Sequence, residues 1–82
     1  MKIYGYENGD DSGKLLDLSE VSICFESSEE AERFADFAVR CANNMKAMGN
    51  GYDHEHLIDF DEKQFPSSKP DIVIARLSEA NR

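Results

Sequence analysis

Tryptophan is absent from this 82-residue chain, proline and cysteine occur twice each, and glycine only five times. So little glycine and proline excludes a collagenous or low-complexity chain, and a hydrophobic content of 40% excludes a disordered one. Two cysteines, Cys24 and Cys41, do not make the disulfide framework of a small secreted domain. Positive charge is scarce: nine Lys and Arg stand against seventeen Asp and Glu, for a formal net charge of -8. Phosphate contacts need Lys and Arg, so nucleic acid and anionic membranes are not expected as partners. A basic protein surface would instead be attracted, although an acidic balance also serves plain solubility. No run approaches the ~20 apolar residues of a membrane span, and Met1 to Glu7 holds no signal-like apolar stretch. The expected compartment is the reducing cytoplasm.

What is present suffices for one domain, expected over residues 1–77, with 78–82 as a tail. A chain this short buries roughly 60–65% of its unfolded surface, which leaves little material for an enclosed catalytic cleft. Lys2 to Glu7 reads as a first strand, followed by a turn-rich loop from Glu7 to Lys14. Leu15 to Glu26 reads as a second, with Leu16 and Leu18 in one phase and Val21, Ile23 and Phe25 in the other. A bulge near Ser19 and Glu20 is expected to separate them.

Ser27-Ser28-Glu29-Glu30 has capping-box form, with Ser27 accepting from the amide three residues on and Glu30 reaching back to the Ser27 amide. Ala31, Phe34, Ala38, Cys41, Ala42, Met45 and Met48 then recur at helical spacing, so a helix is expected over about 27–48. Glu29, Glu32, Arg33, Asp36, Arg40 and Asn43 fall opposite, with Glu29–Arg33 and Asp36–Arg40 as acid-before-base pairs. Gly49 stops the helix. His54 to Phe60 reads as a third strand. Asp61 to Pro70 reads as a polar loop, and Asp71 to Leu77 as a fourth strand whose apolar run suits a central position.

The expectation is an α+β fold of order β-β-α-β-β, a four-stranded sheet with the helix on one face. Its other face would carry some of Tyr4, Tyr6, Leu16, Cys24, Leu57 and Val73, a surface for a homodimer or a partner.

Asp53-His54-Glu55-His56 is the densest group of potential ligands. On a strand His54 and His56 point the same way, and His-x-His can supply two metal ligands, with Asp59 or Asp61 as a further donor. Polar residues are equally expected at the start of a strand beside a loop. Asp59, Asp61 and Glu62 lack the desolvation that paired-carboxylate chemistry needs. Cys41 lies on the apolar stripe, and Cys24 has no electropositive setting. Gly49-Asn50-Gly51 follows a helix and so cannot cradle phosphate. No catalytic residue and no cofactor is therefore assigned.

The segments Met1 to Glu7, Leu18 to Ile23 and Met45 to Gly49 resemble those of immunity protein family 32. So do Gly51 to Leu57, Asp59-Phe60 and Pro70 to Ile74. The resemblance spans residues 1 to about 77, and its distinctive piece is Asp-His-Glu-His-Leu followed by a Pro-Asp-Ile strand. It implies a small cytoplasmic protein of a bacterial polymorphic toxin system that binds and blocks a cognate toxin domain. It brings no catalytic residues. The expected contact surface is Asp53, His54, Glu55, His56, Asp59 and Asp61, although charges on a solvated edge strand also deter aggregation. A homodimeric structural or regulatory domain and a His-x-His metal module stand as alternatives.

Overall fold

Ser27 caps the one long helix: its hydroxyl accepts from the Glu30 amide at 3.1 Å, and α1 runs over Ser28–Met48. The return half of the box reaches one residue further than expected, with the Glu26 amide donating to Glu30 Oε1 at 3.1 Å. At the far end Gly49 takes a positive φ of 55° and donates its amide to the Met45 carbonyl, a backbone conformation that costs glycine little. A 3₁₀ turn, Gly49–Gly51, leads out of the helix.

The buried stripe of α1 is rotated from the expected one. Glu30, Phe37 and Cys41 are buried, with Phe34 and Met45 packed beside them, while Ala42 and Met48 are exposed. Phe37, at 1% exposure, is the centre of the interior. The spacing 30, 34, 37, 41, 45 is as helical as the stripe through Ala38 and Ala42, and the large phenyl ring decides between them. The rotation brings Arg33 and Arg40 to the flank of the packed face. They pair with Asp61 and Glu55 across the fold, and Arg33 also with Asp36, instead of with Glu29 and Asp36 as expected.

The computed structural model describes residues 1–77, so the tail expected over 78–82 lies outside the described part. Before α1 come β1 (Ile3–Gly5) and β2 (Leu16–Leu18). After it come β3 (His54–His56), the single turn α2 (Leu57–Phe60) and β4 (Val73–Ala75). The class is α+β, but the four-stranded sheet is not formed. β1 pairs antiparallel with β2, and β3 with β4, as two separate ribbons.

The differences have local causes. The phase break after Leu18 ends β2, so Val21, Ile23 and Cys24 follow as exposed irregular chain and not as the second half of a strand. Phe25 turns inward against Phe34, with ring centroids 5.6 Å apart. The third strand stops at His56, because Leu57 and Phe60 both pack towards α1 and that three-residue spacing is met by a helical turn. β4 pairs with β3 alone, and Val73 is half exposed, so it is not a central strand. Phe65, placed by composition in a polar loop, is in the core with Phe37, Cys41, Tyr52 and Leu57. With Leu57 buried and the sheet divided, the single open face expected to carry a homodimer does not exist. No helix among the described residues is long and apolar enough to cross a membrane.

Truncating the central ring tests this core. Phe37→Ala is expected to cost about 3–5 kcal/mol in urea unfolding, whereas Val39→Ala, on the exposed side of the same helix, should stay within about 0.5 kcal/mol.

Candidate functional site

A strand of three residues shows one side chain to one face and two to the other. In β3 the inward residue is Glu55, opposite Ile74, while His54 and His56 face out, opposite Ala75 and Val73. The Glu55 carboxylate accepts from the Tyr52 hydroxyl at 2.9 Å and from Asn44 Nδ2 at 3.1 and 3.2 Å. Arg40 Nε stands 3.4 Å away. Desolvation raises the Glu55 carboxyl, but hydrogen bonds from Asn44, Tyr52 and Cys41, with the Arg40 charge, outweigh it and hold the group below its ordinary value. Burial pushes Tyr52 well up, reinforced by its contacts with Cys41 and Glu55. The Cys41 thiol is also raised, first by desolvation, and it is fully buried. Glu55 is an internal anchor, and Cys41 is an inert part of the interior.

The outward pair is arranged differently. Their rings lie edge to face with centroids 5.0 Å apart. His54 Nδ1 contacts the neighbouring Asp53 carboxylate, and His56 Nδ1 lies 2.6 Å from Asp71 Oδ2. Asp71 also accepts from the Ile58 and Ile72 amides through Oδ1, which fixes its carboxylate at the start of the β4 segment.

Along the other side of β3 runs an open groove of about 300 Å³, lined by Phe37, Arg40, His54, Glu55, His56, Asp59 and Phe60. Leu57 donates its amide to Ile72, and Arg76 to Asp53. Antiparallel alternation therefore turns the main-chain groups of His54 and the His56 amide to the edge away from β4, where no described strand pairs with them, while the His56 carbonyl serves as the N-cap of α2. The Arg33 and Arg40 guanidinium carbons lie 4.1 and 5.6 Å from the Phe60 ring centre, within the range of cation–π attraction.

Of the six residues expected to form one surface, His54, Glu55, His56 and Asp59 line the groove. Asp53 adjoins it through His54. Asp61 is set apart, bound to Arg33 Nε at 2.8 Å and accepting from the Gln64 amide. The Arg33 hydrogen bond, with that backbone amide, holds the Asp61 carboxyl below its ordinary value. Among the described residues no group of three or more His, Cys, Asp or Glu is placed to hold a metal ion. The reading by residue type missed Arg40, Phe60 and Asp71. Arg40 was assigned to the solvent side of the helix, and Asp71 is identified only by strand register.

Comparison of the chain with protein-family models, with curated proteins and with solved structures finds no match.

The Glu55 anchor has a measurable pH signature. A carboxyl lowered in the folded state contributes stability that is fully present above its unfolded value, about 4.3, and is lost as pH falls through the folded value. Tyr52→Phe removes one of the bonds responsible. It should cost about 1–3 kcal/mol at neutral pH, and the difference from the parent in urea unfolding should narrow as the pH is taken below 4.

Proposed function

We propose that this chain is a toxin-neutralising immunity protein, which blocks a basic toxin domain by stoichiometric binding along the open side of β3. The carrying observation is the groove beside an unpaired strand edge, which places Asp59, His54 and His56 together on accessible surface. The resemblance of the Asp53-to-Leu57 block to an immunity family supports the same reading.

The internal pairing supports a narrower contact set for such a partner. Glu55 and Asp61 are engaged by Arg40 and Arg33. Asp53, His54, His56 and Asp59 remain to contact a basic surface, and an unpaired edge offers main-chain hydrogen bonds to an incoming segment. The -8 charge would speed encounter with a basic toxin by electrostatic steering. Stoichiometric cover needs no catalytic group and no cofactor. The role is compatible with a cytoplasmic site of action, where the producing cell meets the toxin.

The test is co-purification with the toxin domain encoded beside this gene, together with a growth-rescue assay in cells expressing that toxin. A 1:1 complex and restored growth are expected. The double reversal Asp53→Lys and Asp59→Lys should slow association about tenfold or more at low salt, the lower end of the steering range. No complex and no rescue would remove the proposal.

A further inference from the structure

We propose that His54 and His56 form a two-point chelate for a divalent first-row ion of the zinc and copper class, with Asp53 and Asp71 as positioning carboxylates. The inference is separate from the binding role, because it concerns the isolated chain.

Strand periodicity puts the two imidazoles on the same face of β3. Their centroids are 5.0 Å apart. Two imidazoles sharing one tetrahedral ion, with bonds of about 2.0–2.1 Å, have ring centres about 5 Å apart. The observed spacing of the two rings thus matches that of a chelating pair. The rings are exposed, at 46% and 39% of their side-chain surface, so an ion has direct access.

The second observation concerns which nitrogen is free. An ionised carboxylate can only accept, so Nδ1 of each ring carries the proton that it shares with Asp53 or Asp71. In the neutral imidazole this leaves the lone pair on Nε2. A carboxylate behind each ligating histidine fixes tautomer and orientation and raises ligand basicity, the usual outer-sphere arrangement of imidazole metal sites. Here both histidines have it, from two different parts of the chain.

Imidazole nitrogen suits zinc, nickel and copper, and the hard ions magnesium and calcium prefer oxygen. With two protein donors the remaining coordination positions are left to water, so the ion exchanges freely, unlike one in a closed four-ligand structural site.

The experiment follows the two histidine ring resonances by NMR while zinc chloride is added to the full chain at neutral pH, with magnesium chloride as control. Both rings should move together in one saturable 1:1 event with zinc and stay still with magnesium. Copper, followed by isothermal titration calorimetry, should bind more tightly than zinc. His54→Ala and His56→Ala should each abolish the event. Asp71→Asn keeps an oxygen for the Ile58 and Ile72 amides and should weaken zinc about 10–100-fold, as should Asp53→Asn. The proposal is overturned if the rings do not move at millimolar zinc, if one ring responds alone, or if both Asp→Asn variants bind as the parent does. None of these readouts involves a toxin, so this result and that of the binding assay stand apart.

Discussion

Between α1 and the β3–β4 ribbon, the Glu55 carboxylate accepts from Tyr52 and Asn44 and faces the Arg40 guanidinium, so a charged group sits where ribbon meets helix. Partly withdrawing a carboxylate from water carries a cost, which is offset as its lone pairs are filled. Here they are filled from the Tyr52 side chain three residues earlier and from one face of α1. The arrangement sets the phase of β3. With Glu55 inward, His54 and His56 must face out, and the His54 main-chain groups and the His56 amide must turn to the free edge. A slip of one residue would place two imidazoles against Cys41 and Phe37 and leave Glu55 in solvent.

The division into two ribbons follows from how little the helix can cover. One face of α1 is filled by Phe34, Phe37, Cys41 and Met45, against residues from β4, α2 and the Phe65 loop. The β1–β2 ribbon contributes no residue to that core, and the irregular chain that follows it is tied to α1 by Phe25 against Phe34. A two-stranded ribbon is marginal on its own in water. Tyr4, Tyr6 and Leu15 stay exposed there, so the N-terminal third is held by fewer apolar contacts than the rest. The tightly determined part of the molecule runs from Ser27 to Arg76, and the groove lies wholly within it.

Elements defined by short-range rules were readable from the residues. Ser27 and Gly49 bracket the helix as their cap chemistry requires. Alternation placed the two histidines of β3 on a common face, which the structure reproduces. What was not readable depends on which partner a face meets. The rotation of the helical stripe towards Phe37 is decided by volumes packed from Leu57, Phe60 and Phe65, far along the chain. Strand length in Leu15 to Glu26 and His54 to Phe60 was overestimated, because β-favouring residues form strands only where a neighbouring strand offers hydrogen bonds. The site residues were half legible. His54, Glu55, His56 and Asp59 line one groove, but Glu55 and Asp61 have internal partners that residue type alone does not reveal.

Those internal partners also decide the character of the surface. Arg33 and Arg40 are bound to Asp61 and Glu55, Lys69 lies against Glu26 and the buried Glu30, and Arg76 donates to the Met45 carbonyl at the end of α1. Four of the eight basic side chains among the described residues are thus engaged by the fold itself. The acids they bind include the better-covered Glu30, Glu55 and Asp61 as well as the exposed Glu26 and Asp36, while carboxylates such as Asp53 and Asp59 stay exposed without a Lys or Arg partner. Local pairing leaves the net charge unchanged, and the field along β3 comes from the exposed Asp53 and Asp59, with Arg40, paired to Glu55, also lining the groove. Along β3 that field meets an unpaired strand edge, and complementary charge together with main-chain hydrogen bonding is what an approaching basic segment would need.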